Sequence, residues 1–81
     1  MSLVTSRDML LEAQRGGYAV GAFNVENMEM VMAVVKAAGE MKAPVILQTT
    51  PSTIQYAGID MYYANVTAAA MQAQVPAALH L

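Results

Sequence analysis

Cysteine and tryptophan are missing from these 81 residues, phenylalanine occurs once, and charged residues make up only 12% of the chain, against a usual share of about 25%. With no thiol there is no disulfide and no thiolate zinc site, which suits a cytoplasmic protein. Four basic residues and a net charge of −2 form no stripe that could track a phosphate backbone, so nucleic-acid binding has no electrostatic basis. The longest apolar run, Met30 to Val35, falls far short of the ~18 residues that mark a membrane span. Arg7 and Asp8 precede any long apolar stretch, unlike the start of a secretory signal peptide. One histidine cannot supply the three protein ligands of a usual catalytic zinc centre.

Apolar side chains are abundant instead, at 57% of the residues. A chain this short hides only about 60–65% of its unfolded surface, so the inventory exceeds what it can bury. The excess is also lopsided, because after Lys42 only Asp60 carries a full charge. A large exposed apolar surface marks an interface or a missing neighbour, and residues 43–81 are expected to be covered by other protein. The whole chain, 1–81, therefore reads as a single partial domain.

Thr5 and Ser6 before Met9, Leu10 and Ala13, with Asp8 in the first turn and Gly16-Gly17 behind, predict a helix over residues 6–15. Tyr18 to Phe23 is a short apolar run that predicts a strand covered on both faces. Asn24 and Asn27 both offer caps for the next helix, whose stripe runs through Met28, Val31, Val34, Val35, Ala38 and Met41 until Pro44 forbids continuation. Pro44 to Gln48 repeats the strand pattern, and Thr49 to Gly58 reads as a polar turn. Ile59, Tyr62, Tyr63, Val66, Ala70 and Ala73 trace a third helix, and Val75-Pro76 turns the chain into a last strand over Ala77 to Leu81.

Alternating helices and buried strands imply a parallel α/β sheet. The strands begin near Tyr18, Val45 and Ala77, about 30 residues apart, close to the ~31-residue unit of an eight-fold barrel of roughly 250 residues. A doubly wound sheet has similar units, but neither a G-x-G-x-x-G turn nor a phosphate-cradling G-x-x-x-x-G-K-[ST] occurs. The preferred reading is the N-terminal part of a (β/α)8 TIM barrel: a leading helix followed by βαβαβ.

Ligands of parallel α/β folds sit at the C-terminal strand ends, which here carry Asn24, then Gln48, Thr49 and Thr50, then His80. Alternation sets Val20, Ala22 and Asn24 on one face, Ile46, Gln48 and Thr50 on one face, and Ala78 with His80 on one face. Plain structural readings stand beside each: Asn24 as a cap, Thr50 as a loop opener before Pro51, Gln48 and Thr49 as structural polar residues, His80 as a hydrogen-bonded core histidine. Glu26 and Glu29 suit a helix start better than acid–base work. The methionines read as helix packing.

Three segments, GYAVGAFNVEN (Gly17 to Asn27), EMKAPVILQTT (Glu40 to Thr50) and VPAALHL (Val75 to Leu81), together resemble the N-terminal segment of class II, zinc-dependent ketose-bisphosphate aldolases of the fructose and tagatose type. The resemblance implies a TIM barrel that reversibly splits a ketose 1,6-bisphosphate into dihydroxyacetone phosphate and glyceraldehyde 3-phosphate. It also implies a zinc ion on three histidines acting as Lewis acid and an aspartate moving the proton. In the family, the strand resembling AALHL runs on into Asp-His, the acid and the first zinc ligand, which lie just past Leu81. Two positions carry over as substrate-binding, Asn24 and Thr50; no catalytic or metal-ligating residue is assigned in this chain, and His80, which matches a family histidine beside the metal site, is not assigned as a ligand.

The resemblance implies a phosphorylated sugar as partner and a homo-oligomer, with the 81 residues alone inactive. Two rivals stay open. One is a small non-catalytic α/β module that self-associates through open strand edges and apolar helices; the other is a different phosphate-handling barrel with the same opening units.

Overall fold

Helix ends lie where the capping residues put them. The Thr5 hydroxyl accepts the Asp8 N–H at 3.3 Å at the start of helix α1 (Ser6–Gly16), and Gly17 closes it in the left-handed conformation at φ 72°. Asn27, not Asn24, caps helix α2 (Met28–Met41), its side-chain oxygen accepting the Met30 N–H at 2.8 Å. That helix ends on Lys42 at φ 55°, a left-handed position held by a residue with a Cβ. Lys42→Gly in the intact protein should therefore raise stability by about 0.5–1 kcal/mol, seen as a higher chemical-denaturation midpoint.

The computed structural model describes residues 3–80. Its strands β1 (Gly21–Asn24), β2 (Val45–Gln48) and β3 (Ala77–His80) form one sheet in the order β1-β2-β3, and both pairings are parallel. The register aligns Ala22, Ile46 and Ala78 in one row and Asn24, Gln48 and His80 in another. Between them, pointing to the opposite face, lies the row Phe23, Leu47 and Leu79.

The two faces are covered unequally. On the side of Leu47, α2 and helix α4 (Ile59–Gln72) supply Val31, Ala38, Tyr62, Val66 and Ala70 to the main apolar cluster, in which Leu47 is fully buried. On the side of Ile46 and Ala78 a second, smaller cluster is completed by Met9 of α1 and edged by Val20. It closes the lower end of that face and leaves the row of Asn24, Gln48 and His80 uncovered.

Three expectations need correction. Composition predicts a first strand over Tyr18 to Phe23 with both faces covered; the strand runs from Gly21 to Asn24 and is exposed throughout, with Phe23 at 49%. Its apolar residues border an edge of the sheet with only β2 beside it. The polar turn from Thr49 to Gly58 contains a helix, α3 (Pro51–Ala57). Pro51 stands in its first turn, where a missing N–H costs nothing, and Gly58, at φ 84°, ends it. In α4 the buried face is Tyr62, Val66 and Ala70, whereas Ile59 and Tyr63 are about half exposed. The end of the last strand at Leu81 lies outside the described residues.

Candidate functional site

Each strand is four residues long, and its last residue is polar: Asn24, Gln48 and His80. Because the three are in register, they meet at the C-terminal edge of the sheet. The Gln48 amide Nε2 donates to Asn24 Oδ1 at 3.1 Å, and His80 Nδ1 lies 3.3 Å from Gln48 Oε1. Asn24, Gln48 and His80 are thus joined in one polar row above the apolar layer of Ala22, Ile46 and Ala78.

The middle residue is held from behind as well. The Gln48 carbonyl accepts the Val25 N–H at 3.0 Å and the Tyr62 hydroxyl at 3.0 Å, so both of its lone pairs are used. One residue further on, the Thr49 N–H donates to the His80 carbonyl at 3.2 Å. Backbone ladder and phenol together fix the height of the row.

Burial pushes the Tyr62 phenol above its ordinary value of 10.0, an effect partly offset by the Thr49 hydroxyl. The folded protein therefore keeps this proton to higher pH than the unfolded chain does. The contribution to stability is complete below the unfolded value and is lost as pH rises through the folded one. Tyr62→Phe should cost about 1 kcal/mol near neutrality, from the lost hydrogen bond. It should also remove part of the alkaline destabilisation, so denaturation midpoints of the intact protein and its variant should converge above about pH 10.

Thr50 does not join the row. It stands at the N-cap position of α3 without a side-chain cap bond, and its hydroxyl lies 3.0 Å from Ser52 Oγ and 3.4 Å from Thr53 Oγ1. Of the two residues expected to bind substrate, Asn24 faces the open end of the sheet within a network, and Thr50 is engaged within the first turn of the next helix.

Gln48 and Tyr62 are the residues whose roles sequence reasoning understates. Gln48 reads in sequence as a structural polar residue, although its place at the end of its strand matches those of Asn24 and His80. Tyr62 belongs by its spacing to the packed stripe of a helix, and it does pack there, but its hydroxyl also bonds the backbone of the central polar residue.

Among the described residues, no group of three histidine, cysteine, aspartate or glutamate side chains is placed to hold a metal ion. The row offers one imidazole and two carboxamides, a donor set for hydrogen bonding to a polar ligand. No described helix is long and apolar enough to cross a membrane.

A family model described as class-II fructose-bisphosphate aldolase matches residues 4–81. Among solved structures, that of the YdjI aldolase from Escherichia coli K12 superposes with a TM-score of 0.89 at 32% identity, over 96% of this chain and 30% of that one. The chain thus spans less than a third of the length of that aldolase. Its leading helix and three parallel strands are the N-terminal part of a TIM barrel, and the polar row lies at the strand ends where such barrels carry their sites. On the extent of the family match and the closeness of the superposition, the chain belongs to the class II fructose-bisphosphate aldolase family.

Proposed function

We propose that residues 1–81 are a single partial domain, the first two βα units and third strand of a zinc-dependent aldolase that reversibly cleaves a ketose 1,6-bisphosphate, of the fructose or tagatose type. The products are dihydroxyacetone phosphate and glyceraldehyde 3-phosphate. The observation that carries this reading is the polar row Asn24–Gln48–His80, at the C-terminal edge of a parallel sheet in a chain of this family. Asn24 is the residue of the row that contacts substrate. Thr50, at the same edge, contributes a hydroxyl of lesser weight because Ser52 already engages it.

The zinc ligands and the proton-transferring carboxylate do not come from these residues. A lone His80 cannot bind a catalytic zinc, so the 81 residues alone are inactive and the reacting groups come from other strands of the barrel. The open edge of β1 fits the same reading, since a closed barrel would pair another strand with it.

A second reading has one observation in its favour. An open groove of about 830 Å³ runs between β1 and α2, lined by Phe23, Val34, Ala37 and Met41 among others. Two copies could associate there, as a homo-oligomeric interaction module would.

Assaying cleavage of fructose and tagatose bisphosphates, with and without a zinc chelator, tests the first reading. The intact barrel carrying this segment should show chelator-sensitive turnover and the 81 residues none. Appreciable turnover by the isolated chain would refute the assignment of the reacting groups to other strands. Absence of turnover by the intact barrel, with the isolated chain forming stable discrete dimers, would favour the interaction module.

A further inference from the structure

The three members of the polar row are not equivalent. The flanking strands stand about 10 Å apart, two strand spacings, too far for Asn24 and His80 to touch. Gln48 on the central strand reaches both, donating to Asn24 Oδ1 at 3.1 Å and standing 3.3 Å from His80 Nδ1 through its own carbonyl oxygen. Its backbone cannot drift, because Val25 and Tyr62 both bond its carbonyl.

Hydrogen-bond polarity then decides what the row presents. A carboxamide oxygen has no proton to give, so the bond at Gln48 Oε1 forms only when His80 carries its proton on Nδ1. In the neutral ring this leaves Nε2 as an acceptor. At the other end Asn24 already uses its oxygen to accept, which leaves its Nδ2 amine as a donor. No described residue bonds either of these two atoms.

We infer that Gln48 is a positioning residue, a clamp that sets Asn24 with its amine and His80 with its Nε2 lone pair toward the ligand. The inference rests on the aldolase reading above and deepens it. A hydrogen-bond donor at one end of the row and an acceptor at the other suit a ligand carrying a carbonyl or ether oxygen near one end and a free hydroxyl near the other, as a polyhydroxy ketone does. Gln48 touches neither the reacting atoms nor the ligand and acts through its two neighbours.

The experiment uses the intact barrel protein with 15N-labelled histidine, in which His80 is identified by the signals lost in His80→Gln. Long-range proton–nitrogen correlation, recorded above the ordinary histidine titration range, reports which ring nitrogen is protonated. In wild type His80 should carry its proton on Nδ1. In Gln48→Met that preference should be lost, and kcat/KM for the ketose bisphosphate should fall about 5–100-fold, the loss expected when two ligand hydrogen bonds of about 0.5–1.5 kcal/mol each are misaligned.

Gln48→Glu, nearly the same size, separates the two ends of the clamp. Its carboxylate still accepts from His80 Nδ1, so the tautomer should be retained, but Asn24 must turn its amine toward the carboxylate and kcat/KM should fall nevertheless. Finding His80 protonated on Nε2 in wild type, or a tautomer unchanged by Gln48→Met, overturns the clamp. So does full kcat/KM in Gln48→Met, which would leave the aldolase reading intact. The expected tautomer shift in a protein that cleaves no ketose bisphosphate supports the clamp and refutes the aldolase reading alone.

Discussion

Leu47→Ala should destabilise the protein by about 3–4 kcal/mol, the largest effect expected of any single truncation in this segment. Leu47 is fully buried at the centre of the central strand, between Phe23 and Leu79 in the same row. It packs in the cluster that holds Val31 of α2 and Tyr62 and Val66 of α4. The residues around Leu47 sit on separate hydrogen-bonded elements, β2, α2 and α4, so the gap left by the missing methyls closes only in part, and the cavity adds to the lost transfer energy. Leu47→Met keeps the volume and should cost less than about 1.5 kcal/mol. The check is equilibrium denaturation of the intact protein. A cost for Leu47→Ala no larger than that for Leu47→Met would mean that the central strand does not pack as described.

On the proposed aldolase reading, Asn24→Ala in the intact barrel should lower kcat/KM for the ketose bisphosphate by about 2–10-fold while changing stability little. The side chain is exposed at the end of β1, so its removal leaves no cavity. In the proposed site its loss removes one hydrogen bond to a neutral substrate oxygen, and such a bond accounts for about 0.5–1.5 kcal/mol, at a tenfold change in rate for each ~1.4 kcal/mol. Thr50→Ala should have a smaller effect, since the Thr50 hydroxyl already shares its hydrogen bonding with Ser52 Oγ at 3.0 Å and has less capacity left for a ligand. Steady-state kinetics on the two variants decides the ranking. Equal losses would place Thr50 on a par with Asn24 in binding, and a larger loss for Thr50→Ala would reverse their roles.

Local signals make much of the fold legible. The threonine and glycines around α1, Asn27 before α2, and the stripe of Tyr62, Val66 and Ala70 in α4 all act within a few residues, and each determines its element. The parallel order accords with the strand spacing. Two features escape a sequence reading because their causes are not local. Pro51 suits a turn or the first position of a helix equally well, and the choice between them belongs to the residues on its C-terminal side. The run ending in Phe23 looks like a buried strand because its composition suits burial; exposure depends on which neighbours stand beside it.

The site is legible at its two ends and obscure in the middle. Asn24 and His80 stand out as single polar residues on apolar strands. Gln48 sits in the polar stretch Gln48-Thr49-Thr50, where nothing distinguishes it from its neighbours. Its bonds cross 24 and 32 residues of sequence, and only strand register reveals them. Register also shows why Thr50, two residues beyond Gln48, stays outside the row: the strand has already ended.

The sheet is part of a barrel, with a buried helix-side face and an opposite face and β1 edge that need further strands. Calorimetric melting of the 81 residues by themselves, as a monomer, tests it most directly. No cooperative transition is expected, because β1 is exposed along its whole length and three strands without the rest of the barrel leave much of their apolar surface uncovered. A single sharp two-state transition from a monodisperse monomer would contradict it.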